Sequence, residues 1–312
     1  MRIVIAGGTG FLGAPLAAAL ARDGHDIVIL TRGSRGSQGS RGSEGARGSR
    51  GSDVTWTPNG DSGPWASVVD GAGAVVNLAG ESIAAKRWTA AHKQRVLDSR
   101  VQATRSLATA IRNAASPPPV FVSGSAVGYY GPLDERTVTE DAPAGSDFLA
   151  RVCAAWEAEA SRAAGDRTRV VCLRTGLVLE KDGGALPQML PPFKLGVGGP
   201  VGSGRQYWPW IHRDDWVALA RWAIADASVT GAVNGTAPNP VTNTEFARAL
   251  GRALHRPAFM PAPAFALRLL LGEMADALLL SGQRAVPAKA TRLGFTFKYA
   301  EVDAALRAIF SA

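Results

Sequence analysis

Apolar residues along this chain fall into two kinds of run. Short continuous runs occur at residues 2–6 (RIVIA), 25–30 (HDIVIL), 73–79 (GAVVNLA), 120–123 and 170–179 (VVCLRTGLVL). Their length, lack of alternation and β-branched content predict strands buried on both faces, as in a parallel sheet. Between them, apolar residues recur at helical spacing. Leu12, Leu16, Ala19 and Leu20 form one such face, and Gly24 is its stop signal. Val96, Val101, Thr104, Leu107, Ala108 and Ile111 form another, with Thr89 as N-cap and Pro117-Pro118-Pro119 beyond its end. Strands alternating with helices predict an α/β, Rossmann-type, doubly wound parallel sheet. A strand at Val233-Asn234-Gly235 is expected to return to that sheet. Asp214-Asp215 read as the cap of a helix over 216–225. Helices from Asn243 and Ala264 complete a smaller C-terminal α/β lobe. The expected division is 1–174 plus 214–237 for the dinucleotide-binding domain, and 175–213 plus 238–312 for the substrate lobe.

One stretch fits neither pattern. Residues 32–52 read RGSRGSQGSRGSEGARGSRGS, with a period of three. Five arginines against one glutamate give this tract half of the chain's formal charge of +8. The tract lacks large apolar side chains, so it reads as a disordered insertion over 33–52. It is a neutral repeat expansion, an aid to attracting anions, or a nucleic-acid arm; the absence of interleaved aromatics makes nucleic acid the weakest of these. The remaining charge suits a protein that binds an anionic cofactor. At 312 residues, 46% hydrophobic and 19% charged, the chain has ample core and is not globally disordered. Two cysteines, Cys153 and Cys172, exclude a disulfide scaffold and read as buried small residues. His25, His92 and His255 are isolated and read as surface residues, with no metal-ligand spacing. No signal peptide or membrane span is evident, so a cytoplasmic protein with no metal and no membrane partner is expected. The oligomeric state is not legible.

The run 2–6 enters Gly7-Gly8-Thr9-Gly10-Phe11-Leu12-Gly13 and then the first helix. Gly7 permits the tight turn, Gly10 lets backbone approach a pyrophosphate, and Gly13 lets the helix pack closely. The helix N-terminus offers unpaired N–H groups to the anion. A dinucleotide site follows. The second strand ends in Thr31-Arg32, where an acid would read the ribose 2′-hydroxyl of NAD. An arginine instead pairs with a 2′-phosphate, so NADP(H) is favoured over NAD(H). The competing reading is that Arg32 is merely the first residue of the repeat.

The spacing G-x-x-G-x-x-G resembles the extended branch of the short-chain dehydrogenase/reductase superfamily. GESIAAKRWT, VSGSAVGYYG, VVCLRTGLVL, GSGRQYWPWIHRDD and PAPAFALRLLLGEMA together resemble its "epimerase family protein" subgroup over nearly the whole chain. That resemblance implies a Rossmann domain holding NADP(H) and a small C-terminal substrate lobe. It implies that Leu78, Ala79 and Gly80 pass under the cofactor ribose, with Ser123 also at the cofactor, and that the turn at Gly176 approaches the nicotinamide.

Short-chain dehydrogenases use a Ser with Tyr-x-x-x-Lys, in which the lysine lowers the phenol pKa and the phenol exchanges the substrate proton. The six lysines lie at 86, 93, 181, 194, 289 and 298. Four residues before them stand Ser82, Thr89, Leu177, Leu190, Ala285 and Gly294. No Tyr-x-x-x-Lys exists, and the expected pair falls near Phe148 and Val152. Ser125 remains as a donor to a substrate oxygen. Tyr129, Lys86 or His212 is a candidate replacement acid, while Tyr129 and Tyr130 also read as packing beside the cofactor. Residues 183–204, rich in glycine and proline, read as a mobile flap. Arg205 is a candidate for a phosphate or carboxylate, so Lys86, Arg205 and His212 are the candidate substrate contacts. Two functions stand: an NADP(H)-dependent oxidoreductase or epimerase acting on a small polar, anionic substrate, and a catalytically silent NADP(H)-binding sensor.

Overall fold

The structure is a computed structural model, in which residues 1–33, 51–133 and 135–311 are described. The run RIVIA forms β1 (Arg2–Ala6), and the glycine-rich turn leads to α1 (Gly13–Arg22) and β2 (Asp26–Thr31). There follow β3 (Gly51–Thr55), β4 (Ala74–Asn77), α2 (Ala90–Asn113), β5 (Val120–Ala126), β6 (Thr137–Val138), α3 (Phe148–Ser161) and β7 (Arg169–Thr175). The second half holds β8 (Leu177–Leu179), α4 (Leu186–Lys194), β9 (Tyr207–Trp208), β10 (Trp210–His212), α5 (Arg213–Ala225), β11 (Gly231–Gly235) and β12 (Val241–Thr242). It ends with α6 (Asn243–Leu254), α7 (Ala264–Leu271), α8 (Glu273–Ala275), β13 (Arg284–Ala285), α9 (Ala288–Arg292) and α10 (Val302–Phe310).

The main sheet has seven parallel strands in the order β11-β7-β5-β4-β1-β2-β3. Alternate residues of each strand feed different cores. Ile3 and Ile5 pack with Leu16, Leu20, Trp216 and Leu219 on the α1/α5 side. Val4 and Ala6 pack with Leu107, Ile111 and Ala160 on the α2/α3 side. The predicted doubly wound sheet is therefore present, with β11 supplying the strand expected around Val233. A third core joins α4, α6 and α10 through Leu190, Phe193, Phe246, Leu250, Leu306 and Ile309. It belongs to the smaller C-terminal elements.

Several local expectations are corrected. β3 begins at Gly51, inside the repeat, and pairs Ile27 with Gly51 and Thr31 with Thr55. An edge strand is held by main-chain hydrogen bonds, so Gly and Ser suffice there. The rest of the proposed insertion, 34–50, lies outside the described residues. The run VVCLRTGLVL is two strands: a Cβ at Gly176 would overlap the Pro209 carbonyl oxygen, and β8 leaves the main sheet to pair with β10. Helix α5 starts at Arg213 and is capped by His212, not by Asp214. Asp215 instead accepts from the backbone N–H groups of Lys298 and Tyr299, at 2.8 and 2.9 Å. The proposed flap contains α4, whose Leu186, Leu190 and Phe193 are buried. His92 is buried rather than on the surface, with Nδ1 3.3 Å from Glu81 Oε1.

Candidate functional site

The β1–α1 turn sits where strand order reverses between β1 and β4, the usual ligand crevice of such sheets. Gly7 has φ +79°, and a Cβ there would meet the Leu78 carbonyl carbon and oxygen at 2.7 Å. The turn after β1 thus lies directly against Leu78-Ala79. A Cβ at Gly13 would overlap the Gly7 carbonyl oxygen, so helix and turn can be this close only with glycine. Gly10 differs: a Cβ there would meet a single atom, Gly7 O, at 3.3 Å, so this position is crowded on one side only. The Gly10 N–H donates to Gly7 O and that of Ala14 to Gly10 O, at 3.1 and 2.9 Å. Among the described residues nothing accepts from the N–H groups of Phe11 and Leu12, and the α1 N-cap, Leu12, offers no side-chain acceptor. Unpaired donors beside an exposed glycine fit a pyrophosphate. Thr9 and Gly10 are exposed at the same turn. The Phe11 ring packs against Gly183 and Gly184, closing the turn onto the segment before α4. Thr31 ends β2 and Arg32 follows it, exposed.

The floor of the crevice is fixed by side chains that sequence reasoning missed. Asn77 is fully buried; its Nδ2 donates to Thr104 Oγ1 at 2.8 Å and its Oδ1 accepts from Ala79 N–H at 3.1 Å. Arg100 donates to the carbonyls of Glu81 and Val96, at 2.9 and 3.0 Å, and packs tightly against Gly80, where a Cβ would lie 3.2 Å from its guanidinium carbon. Ser123, expected at the cofactor, is buried midway along β5, and its hydroxyl donates to Gly124 O at 3.2 Å.

Ser125 lies two residues further along β5 and leads into a buried polar chain. Its hydroxyl donates to Glu157 Oε1 at 2.6 Å. Arg174 grips the same carboxylate with two bonds, Nε to Oε1 and Nη2 to Oε2, each 2.8 Å. Arg174 Nη1 donates to Tyr130 OH at 3.0 Å, and that hydroxyl donates to Asn234 Oδ1 at 2.7 Å. Burial opposes the Arg174 charge, but the bonds and charge of Glu157 outweigh it and raise the guanidinium pKa. Burial raises the Tyr130 phenol, only partly offset by Arg174. The Tyr129 ring covers the guanidinium at 3.5 Å, and its hydroxyl has no partner among the described residues. The expected neighbourhood of Ser125 and Tyr129 exists, with Glu157 and Arg174 between them. The one hydroxyl proton of Ser125 is engaged by Glu157.

Phe148 and Val152 lie on the first turns of α3. Trp88 meets the Phe148 ring edge-on at 5.1 Å and Lys93 Nζ lies 5.2 Å from it. Val152 is buried. Beside it, burial pushes the Cys153 thiol up to about 12, so it stays protonated. Cys172 is likewise buried and pushed up to about 12.

The candidate substrate contacts are less convergent. Lys86 is exposed on the loop before α2. Arg205 is 83% exposed and lies 3.8 Å from Glu135. His212 is buried; its Nδ1 accepts from Asp214 N–H at 3.0 Å, and its ring stacks on Tyr299 with centroids 4.1 Å apart. Burial lowers its pKa, against the opposing charges of Asp214, Glu180 and Asp215. Its geometry is that of a helix cap. Among the described residues no group of three or more His, Cys, Asp or Glu side chains is placed to hold a metal, and no helix is long and apolar enough to cross a membrane.

Comparison with known proteins matches this geometry to a family. The NAD dependent epimerase/dehydratase family matches residues 3–234, and a domain of unknown function, DUF1731, matches 262–309. The epimerase family protein SDR39U1 of Bos taurus is 40% identical over 315 residues, covering 100% of both chains. The chloroplastic SDR39U1 homolog of Arabidopsis thaliana is 42% identical over 311 residues, 99% of this chain and 86% of the relative. The crystal structure of human SDR39U1 (isoform2) with NADPH superposes with a TM-score of 0.87 at 37% identity, covering 100% of this chain and 99% of that one. A UDP-glucuronic acid 4-epimerase from Bacillus cereus, solved with NAD, gives 0.77 at 16% identity, covering 100% of this chain and 98% of that one; it shares the fold. The chain belongs to the NAD dependent epimerase/dehydratase family, as an extended short-chain dehydrogenase/reductase close to the SDR39U1 epimerase family proteins over its full length.

Proposed function

We propose that this chain binds NADP(H) in the crevice between the β1–α1 turn and Leu78-Ala79-Gly80. There it acts as an oxidoreductase or epimerase on a small polar, anionic substrate without a Tyr-x-x-x-Lys pair. The observation that carries the cofactor reading is the pair of unpaired N–H groups on Phe11 and Leu12 beside the exposed Gly10. Gly7, Thr9 and Gly13 complete the cradle, with Leu78–Gly80 and Ser123 along the crevice and Gly176 at its far end. Thr31-Arg32 stands where the 2′-position of the adenosine ribose is read, and the human relative solved with NADPH supports the phosphorylated cofactor. When bound, the nicotinamide supplies or accepts hydride.

The chain's own residues set the rest. Glu157 accepts the hydrogen bond that the Ser125 hydroxyl donates, so Ser125 Oγ presents lone pairs to a ligand and reads a hydroxyl rather than a carbonyl. Tyr129 keeps an unengaged phenol beside the Arg174 cation and is the candidate proton source. Lys86 is an exposed cation that can meet an anionic group, and Arg205 is exposed and can exchange its long, solvent-facing pairing with Glu135 for one. His212 is assigned to positioning the start of α5.

One observation favours a second reading, a silent NADP(H)-binding protein. Phe148 and Val152 have no ionisable group, and the Ser125 hydroxyl is already engaged as a donor to Glu157. The two readings are separated by loading the protein with NADPH and following nicotinamide absorbance across a panel of carbonyl compounds and nucleotide sugars. Oxidation by one class, slowed in Tyr129→Phe, supports the enzyme. Tight NADPH binding with no oxidation by any of them establishes the silent protein.

A further inference from the structure

Residues 246–272 carry Arg248, Arg252, Arg256, Arg268 and His255, and no acidic residue. In the same stretch α7, of sequence AFALRLLL, has no buried residue. Phe265, Leu269 and Leu270 on it are 74, 79 and 72% exposed, and Phe259 is 72% exposed. Met260 N–H donates to Gly198 O at 3.2 Å and Ala262 N–H to Pro200 O at 2.8 Å. These bonds lay the segment after α4 alongside, so exposed Leu195 and Val197 extend the apolar surface. Large exposed apolar clusters of this kind mark interaction sites.

The flank of the surface is basic. A cavity of about 580 Å³ at the end of α6 is lined by Arg248, Arg252, His255, Arg256 and Phe259. Arg252 is held by Asp303 and Arg268 by Asp276. Arg248, Arg256 and Lys194, which precedes Leu195, have no acidic partner among the described residues. An occupant must therefore accept apolar side chains in its interior and cations at its edge. A nucleic acid would leave Phe265, Leu269 and Leu270 in water. A second copy in two-fold pairing would bring like cations together at the rim of one patch. A lipid surface bearing negative headgroups satisfies both demands: apolar side chains enter the headgroup–acyl boundary while arginine and lysine stay at phosphate level.

We propose that the face built by α7, the α6–α7 connection and residues 194–198 docks peripherally on an anionic membrane surface. The test is co-sedimentation of the full chain with vesicles of phosphatidylcholine alone or with phosphatidylglycerol. Binding is expected only to the anionic vesicles. Removing the Arg248 and Arg256 charges should weaken it by about fivefold each. The double variant F265E/L269E should abolish it while leaving the thermal midpoint and NADPH binding unchanged, since both side chains are exposed. A variant lacking 34–50 should keep binding. No binding to anionic vesicles, equal binding to neutral ones, or loss on deleting 34–50 with F265E/L269E unaffected would each overturn the proposal. So would a monomer–dimer equilibrium that F265E/L269E removes without changing sedimentation with vesicles.

Discussion

Ser125 and Glu157 share one short hydrogen bond: the serine hydroxyl donates to Oε1 at 2.6 Å, across the gap between β5 and α3. The carboxylate is also the bidentate partner of buried Arg174. The bond therefore belongs to an ionic chain that ties β5, α3 and β7 together.

Glu157→Gln would leave the Arg174 guanidinium buried without its counter-charge. A loss of about 3 kcal/mol is expected, the usual cost of breaking a buried pair from one side. Ser125→Ala removes one hydrogen bond to a carboxylate that keeps both of its bonds from Arg174, and should cost about 1.5 kcal/mol. Chemical denaturation of both variants checks this. Equal losses would mean that the Arg174–Glu157 pair contributes no more than a hydroxyl.

His212 predicts a pH dependence with a definite sign. In the folded protein its Nδ1 accepts the Asp214 N–H and burial lowers its pKa below the ordinary histidine value of 6.5. The unfolded chain therefore takes up the proton first. Stability from this group is complete above pH 6.5 and is lost as pH falls through 6.5 toward the lowered folded value. Asparagine caps helices equally well and does not titrate. Thermal midpoints of His212→Asn should accordingly be flatter than those of the parent between pH 7 and about 5. A parallel decline in both proteins would assign the pH dependence elsewhere.

The glycine turn and the buried polar chain differ in visibility. The turn is legible because its glycines meet local demands: positive φ at Gly7 and close approach at Gly13. Glu157, Arg174, Asn77 and Asn234 act through partners far along the chain, and such pairings leave no period in a sequence. A signal existed nonetheless. Arg174 interrupts an apolar run and Asn77 ends another, and a polar group in a buried strand needs a partner. His92 stands four residues before buried Val96, which places it on the inward face of α2. The helix within 183–204 was hidden by its prolines. Pro187 stands near its start, and Pro191 and Pro192 lie inside it, where proline ordinarily signals an end.

Restoring the absent pair should fail on stability grounds. Phe148 is half-buried against Trp88, and a tyrosine there adds one hydroxyl at the start of α3. Phe148→Tyr is expected to change stability by less than about 1 kcal/mol. Val152 is buried, and lysine there would place an ammonium in the core. Val152→Lys should cost about 4 kcal/mol or more, or hold the lysine neutral at pH 7. Denaturant midpoints of the two single variants test this, and a stable Val152→Lys would show that α3 can swing that position outward.

Gly10 and Gly13 separate binding from folding. A Cβ at Gly13 would overlap the Gly7 carbonyl, which is backbone and cannot rotate aside. Gly13→Ala should destabilise the protein by about 3 kcal/mol through overpacking. A Cβ at Gly10 meets one atom, Gly7 O at 3.3 Å, a tight contact that the turn relieves by a shift of a few tenths of an ångström, so Gly10→Ala should cost far less stability than Gly13→Ala. If the pyrophosphate lies against Gly10, the same methyl should weaken NADPH binding by about a hundredfold, the equivalent of losing two hydrogen bonds to a charged group. Titration of protein fluorescence with NADPH measures the loss. Unchanged affinity in Gly10→Ala would remove the cofactor from the β1–α1 turn.

Within this chain, the proposed preference for NADPH rests on Arg32. It is exposed at the end of β2, where an acid would repel a 2′-phosphate and an arginine pairs with it. Arg32→Asp replaces attraction with repulsion and should weaken NADPH binding by about a hundredfold. NADH has no 2′-phosphate, and its affinity should hold or improve, because the new carboxylate can accept from the ribose hydroxyl. The ratio of the two dissociation constants is the informative quantity, since a general disturbance of β2 would weaken both cofactors alike. Equal losses would make Arg32 only the first residue of the repeat and return the preference to another part of the crevice.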